Sequence, residues 1–226
     1  MLRTVRGLAA AALLAALPAV ASAQYAVKET SAAPPAEVKE PVRKLLGDKA
    51  LQVTDAKGTV LCELWFRKEI PAKATPQQVK NGLTYREIPE TTLVGVIRIT
   101  DALPSDYRKQ KIKAGVYTLR LAFQPMDGDH MGTAPNAEFL LAVPAAMDKG
   151  VATMEPKELH ELSTKASGTA HPAVFLLFPE KGPDAPKMAK KEGDHWVLTT
   201  KLNAVAGSEK ATIGIGLTLI GVSSAA

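Results

Sequence analysis

Apolar and polar residues alternate along most of this chain, and the period of the alternation is two, the spacing of a strand with one face in a core. Thr59–Arg67 shows it clearly. Val60, Cys62, Leu64 and Phe66 fall on one side, and Leu61, Glu63, Trp65 and Arg67 on the other. Val116–Phe123 places Tyr117, Leu119, Leu121 and Phe123 on one face, with Gly115 breaking the chain before it. Glu138–Val143 reads as a strand with Phe139, Leu141 and Val143 inward, and His195–Leu202 as one with Trp196, Leu198 and Leu202 together. Ala211–Val222 carries Ile213, Ile215, Leu217 and Leu219 on one face and Gly214 and Gly216 on the other. Leu51–Thr54 and Thr92–Thr100 are shorter or less regular strands. Ala173–Phe178 is a continuous apolar run, as expected of a strand covered on both faces.

Helical spacing occurs in two places. Glu37–Leu46 has Val38, Val42, Leu45 and Leu46, with Pro41 confined to its first turn and Gly47 at its end. Glu155–Ser167 has Leu159 and Leu162 three apart, Pro156 at its start and Gly168 just past its end. Pro71–Lys80 reads as loop with a turn of helix at Pro76–Lys80. Asp101–Lys113, Pro125–Asn136 and the charged Lys181–Gly193 read as connections. About eight strands, two short helices and no alternation of strand with helix predict a mainly β fold. A β-sandwich or an open barrel satisfies that pattern; the expectation is a single antiparallel β-sandwich over residues 37–226.

The N-terminus departs from this pattern. Arg3 and Arg6 precede an apolar stretch, Leu8–Val20, that is too short to span a bilayer, and Ala21-Ser22-Ala23 supplies small residues at a cleavage point. Residues 1–23 are expected to be a signal peptide cut between Ala23 and Gln24, which directs the protein to the periplasm or the exterior. Residues 24–36 (QYAVKETSAAPPA) read as a flexible leader. No later stretch reaches membrane length. The formal charge of +5 includes Arg3 and Arg6, and what is left is too weak to argue for nucleic acid. The single cysteine excludes an intramolecular disulfide framework and a multi-thiolate metal site. In an oxidising compartment Cys62 must be buried, metal-bound or paired between chains, and its place on an apolar strand face makes a buried small hydrophobe the simplest reading.

Lys113–Leu119 (KAGVYTL) resembles the AGxYxL strand of secreted bacterial β-sandwich proteins known as domains of unknown function. Leu64-Trp65 and His195-Trp196 sit where such proteins carry aromatic strand residues. Gln124–Gly132 (QPMDGDHMG), followed by Phe139–Leu141 and Thr169–Pro172 (TAHP), is similar to a narrower set of uncharacterised secreted proteins. The resemblance implies a fold and a compartment, and no activity.

Candidate chemistry concentrates in the loop Pro125–Asn136. Asp127, Asp129, His130 and Met131 form the densest polar cluster, between two strong strands where function is often placed. Imidazole and thioether, from His130, Met126 and Met131, suit copper, and carboxylates suit harder ions. His171 and His195 each stand at the start of a strand; a site of His130, His171, Met131 and Asp129 for copper or zinc follows if they converge. The alternative is ordinary turn chemistry for Asp-Gly-Asp and core packing for the methionines. Trp65 is either an exposed stacking platform for a ligand or a residue packed beneath the Glu37–Leu46 helix. His160 with Ser163 is a weak nucleophile arrangement, and no G-x-S-x-G, HExxH or P-loop motif occurs. Arg108, Lys109, Lys111 and Lys113 form a basic cluster without interleaved aromatics, which reads as a solvated loop. The leading functional expectation is a non-catalytic secreted protein that binds a small ligand or an envelope partner through residues 125–136, contacting Asp127, Asp129, His130, Met131 and Trp65. The alternatives are a metal-binding protein or metal-dependent enzyme centred on His130, and a structural envelope component.

Overall fold

The computed structural model describes residues 24–125 and 133–224. The chain starts with strand β1 (Tyr25–Thr30), helix α1 (Glu40–Leu45), and strands β2 (Ala50–Asp55), β3 (Val60–Phe66) and β4 (Ile70–Ala72). Helix α2 (Pro76–Asn81) and strands β5 (Leu93–Ile99), β6 (Gly115–Phe123) and β7 (Glu138–Pro144) follow. Helix α3 (Pro156–Ser167) precedes β8 (Ala173–Phe178), β9 (Lys187–Lys191), β10 (His195–Ala206) and β11 (Glu209–Ile220). Each of the eight strands expected from the alternation forms. The turn of helix expected at Pro76–Lys80 is α2, held by a capping box in which the Thr75 side chain accepts from the Gln78 N–H and the Gln78 side chain accepts from the Thr75 N–H.

The architecture is mainly β, but it is one curled sheet and not an eight-stranded sandwich. Its strand order is β1-β2-β3-β5-β6-β7-β8-β11-β10-β4, with β9 on β10 beside β4. All pairs are antiparallel except β10 with β4. The reason lies at β8, which bonds β7 along one edge and β11 along the other through Gly216↔Phe178 and Leu217↔Leu177. That short ladder joins the two halves that a sandwich would keep as separate sheets. Tyr85 reinforces it. Its hydroxyl donates to the Phe178 carbonyl at 2.9 Å and accepts from the Gly216 N–H at 3.0 Å, acting as a rung between the strands.

Three strands were not expected. Residues 25–30, read as part of a flexible leader, pair along their length with β2, from Tyr25↔Asp55 to Thr30↔Ala50. Lys187–Lys191, read as a charged loop, pairs with β10, its lysines lying on a sheet edge where charge deters further pairing. Strand β4 is three residues long. The curl brings the two ends of the sheet towards each other: the rings of Tyr25 in β1 and Trp196 in β10 meet edge to face with centroids 5.2 Å apart.

The inside of the curl is the main core. Val53, Cys62, Leu64, Ile97, Leu119 and Leu140 from one half meet Phe175, Leu198, Ile213 and Ile215 from the other. The outer face carries two further apolar clusters. Val38, Val42 and Leu46 of the α1 region cover Trp65, Leu93 and Val96, and Leu159 of α3 covers Leu141, Val143, Val174 and Leu176. Phe139, Leu141 and Val143 thus lie on the outer face, not inward as expected; Leu140 and Ala142 take the inner one. Strands apolar on both faces make the inward side ambiguous from alternation alone. Between the two outer clusters, Arg120 and Asp148 form a wholly buried ion pair.

Candidate functional site

On the outer face of β6, β7 and β8, next to α3, a concave opening of about 230 Å³ is left uncovered. Ala122, Phe139, Leu141 and Val174 form its floor. These are outer-face strand positions, continuous with the cluster that α3 buries. His160, on α3, borders one side.

The opposite wall is Tyr107 and Arg108, from the connection after β5. Asp106 builds this turn. Its Oδ1 accepts from the backbone N–H groups of Arg108 (2.9 Å) and Gln110 (2.8 Å). Its Oδ2 accepts from the Gln110 side chain (2.8 Å) and from the Val174 N–H (2.9 Å). The Tyr107 N–H donates to the Val174 carbonyl at 2.9 Å. The turn therefore takes the place of a neighbouring strand at the start of β8, which β11 does not reach.

The described ends of the 125–136 loop complete the rim through Gln124, Pro125, Thr133 and Ala134. The Gln124 amide donates to the Thr133 hydroxyl at 2.7 Å, which draws the two ends together. Ser223, near the C-terminus, donates its hydroxyl to the Thr133 carbonyl (2.7 Å) and its N–H to the Tyr107 carbonyl (2.8 Å). Loop root, Tyr107 turn and C-terminal segment are thus tied into one rim.

Met126, Asp127, Asp129, His130 and Met131 lie outside the described residues, and so does the separation of His130 from His171. His171 is an exposed member of the rim whose imidazole makes no hydrogen bond among the described residues. Trp65 is no ligand platform. It is 0% exposed, covered by the α1 region, and its indole N–H donates to the Ala32 carbonyl at 2.8 Å. His195 is buried against Tyr107 and Phe178, with its ring nitrogens 2.6 Å from the Glu192 carbonyl and 3.3 Å from that of Val222. Its ring is committed to the fold. Cys62 is a free, buried thiol, and burial with the nearby Glu63 charge pushes its pKa far up. Ser163 faces the sheet, donating to the Ala142 carbonyl at 2.8 Å and accepting from the Ala173 N–H at 3.0 Å. Among the described residues no three His, Cys, Asp or Glu side chains converge as metal ligands. No described helix is long and apolar enough to cross a membrane.

Sequence reasoning placed interest in the 125–136 loop but missed the wall opposite. Arg108 read as one of a run of solvated bases. The available signal was Ser105-Asp106 followed by Gln110, an Asx-type turn that fixes where the intervening side chains emerge. In comparison with known proteins, the chain matches no family model, no curated protein and no solved structure.

Proposed function

We propose that this is an exported, non-catalytic binding protein that takes a small, partly apolar molecule in the opening at the root of the 125–136 loop. The observation that carries this reading is the concave opening itself, floored by Ala122, Phe139, Leu141 and Val174 beside α3. The apolar outer face of the sheet is covered by α1 and α3, and at the margin of the α3 cluster the half-buried Phe139 lines an opening together with the buried Leu141 and Val174. Concave apolar surface with a few polar groups on its rim is the usual form of a ligand site. A volume of about 230 Å³ suits a ring-sized or short-chain molecule. A binding role is favoured over catalysis because hydroxyls that line the opening serve to tie its rim together: Ser223 donates to the Thr133 carbonyl, and the Thr133 hydroxyl accepts from the Gln124 amide. Export is supported by the residue pattern of 1–23 and by the position of β1, whose first residue, Tyr25, follows directly on the expected new N-terminus, Gln24.

A fragment library read by NMR tests the reading. Bound fragments should perturb Tyr107, Phe139 and Leu141 and raise the melting temperature, because a ligand held only by the folded state stabilises it. Ala134→Trp, which fills the rim, should abolish both effects while the protein stays folded. Fragments that bind only elsewhere, or none at all, would sink the proposal. N-terminal sequencing of protein recovered from outside the cytoplasm should begin at Gln24.

A further inference from the structure

Two arginines near the outer face, Arg120 and Arg108, are treated very differently by the fold. Arg120 has every side-chain nitrogen hydrogen-bonded, to Asp148 and to the carbonyls of Thr91, Gly150 and Ala152. Arg108 has none. Its Nε is buried without a partner, and no hydrogen bond or ion pair is made by its guanidinium among the described residues. Removing a charged donor from water without replacing its hydrogen bonds is costly, so such groups are ordinarily paired.

The carboxylate closest to Arg108 in sequence does not compensate it. Both oxygens of Asp106 are taken up by four N–H donors, from Arg108 backbone, Gln110 backbone and side chain, and Val174. Among the described residues that line the opening there is no Asp or Glu. The rim instead offers cations or potential cations: the free guanidinium of Arg108 and the free imidazole of His171. Directly beside them lies the apolar floor of Phe139, Leu141 and Val174. The Arg108 guanidinium, with its buried unpartnered Nε, the His171 imidazole and the apolar floor therefore line one opening, and one molecule can contact all three.

The geometry points to a small carboxylate with an apolar body, such as an aromatic or short-chain organic acid. Its carboxylate would be held by Arg108, with His171 on the same rim, and its hydrocarbon part would cover the floor. A planar guanidinium matches the two oxygens of a carboxylate in a way an ammonium does not. This inference rests on the binding reading above and deepens it by naming the charge and class of the ligand.

The test uses matched pairs that differ only in charge: benzoate against benzamide, and octanoate against octanamide, titrated into the purified protein and followed by NMR and calorimetry. At least one acid should bind about tenfold or more tightly than its amide, with shifts at Tyr107 and Phe139. Arg108→Gln should remove that preference and leave amide binding unchanged; Arg108→Lys should restore only part of it. The Arg108 guanidinium has no hydrogen-bond or ion-pair partner among the described residues, so Arg108→Gln should melt like the parent protein. If acid and amide bind this opening equally, or if Arg108→Gln leaves the preference intact, the charge assignment is overturned while the ligand site stands. If the fragment library finds ligands here but none of the four probes binds, the assignment also falls. Failure of the library and the probes together would remove the site itself.

Discussion

Arg120 and Asp148 face each other as two planar groups, with Nε 2.7 Å from Oδ2 and Nη2 2.7 Å from Oδ1, at positions where neither side chain is reached by solvent. Thr118 donates to the same carboxylate at 2.5 Å, and the Gly150 N–H adds a bond at 3.0 Å. The remaining guanidinium donor reaches the carbonyls of Thr91 (2.8 Å) and Ala152 (2.9 Å). The pair thus pins the segment after β7 to the middle of the sheet. Breaking one partner strands the other charge in the interior, which costs about 3–5 kcal/mol. Asp148→Ala is expected to lose that much in urea unfolding. Arg120→Met with Asp148→Leu should lose clearly less, since it leaves no charge behind.

The same pair sets an acid limit. Burial pushes the Asp148 carboxyl up, but the Arg120 and Thr118 hydrogen bonds, the Arg120 charge and the Gly150 N–H together outweigh it, and its pKa lies below the ordinary carboxylate range. A depressed folded-state pKa contributes stability that is fully present above the unfolded value, near 4, and is lost as pH falls through the folded one. The difference in melting temperature between the parent protein and Asp148→Asn should therefore be steady at neutral pH and shrink below about pH 4. A gap that persists unchanged to pH 2 would contradict this.

Tyr85 bears on whether the sheet is continuous. Tyr85→Phe keeps the ring and deletes the rung, leaving the Phe178 carbonyl and the Gly216 N–H without that partner. The expected loss is about 1–3 kcal/mol. Hydrogen exchange is the sharper measurement, because the Gly216 amide should exchange faster while amides in the β6–β7 ladder do not.

Cys62 should be inert in the folded protein. Its thiol is buried, and burial holds it in the protonated form, which is not the nucleophile. A thiol reagent should fail to label it at pH 8 and at pH 9, and should label one thiol per chain after addition of denaturant. Rapid native labelling would mean that the inner core is open.

The first strand can be tested by removing it. In a Trp65→Phe background, Trp196 is the sole tryptophan. Deleting residues 24–30 takes away the Tyr25 ring that packs against it. Trp196 emission should shift to the red and become accessible to iodide. An unchanged spectrum would show that residues 25–30 do not hold this edge.

What was legible in the sequence was whatever one strand decides by itself. The alternation in Thr59–Arg67 and Val116–Phe123 announces a strand and the face that goes inward, and both faces are as read. What was not legible depends on partners far along the chain. Nothing in Ala173–Phe178 reveals that β11 docks beside it through two residue pairs and the Tyr85 hydroxyl, yet those contacts separate a curled sheet from a sandwich. Phe139, Leu141 and Val143 could have gone to either face until α3 claimed them. Lys187–Lys191 and Tyr25–Thr30 carry too little hydrocarbon to announce strands, and they are strands because β10 and β2 offer free edges. At the site, the loop was visible as a place of interest. The unmet guanidinium of Arg108 was not, because its isolation follows from Asp106 spending its oxygens on N–H groups.

The contact between Tyr25 and Trp196 joins the first strand to the next-to-last. A chain delivered from its N-terminus cannot make that contact until almost all of it has emerged, and contacts of such long separation form slowly. Strand β1 ends the hydrogen-bonded order of the sheet, so what β10 brings to it is the packing of Trp196 on Tyr25 and not a backbone ladder. The interval between emergence of β1 and arrival of β10 is therefore the period in which Tyr25 lacks the ring that packs against it.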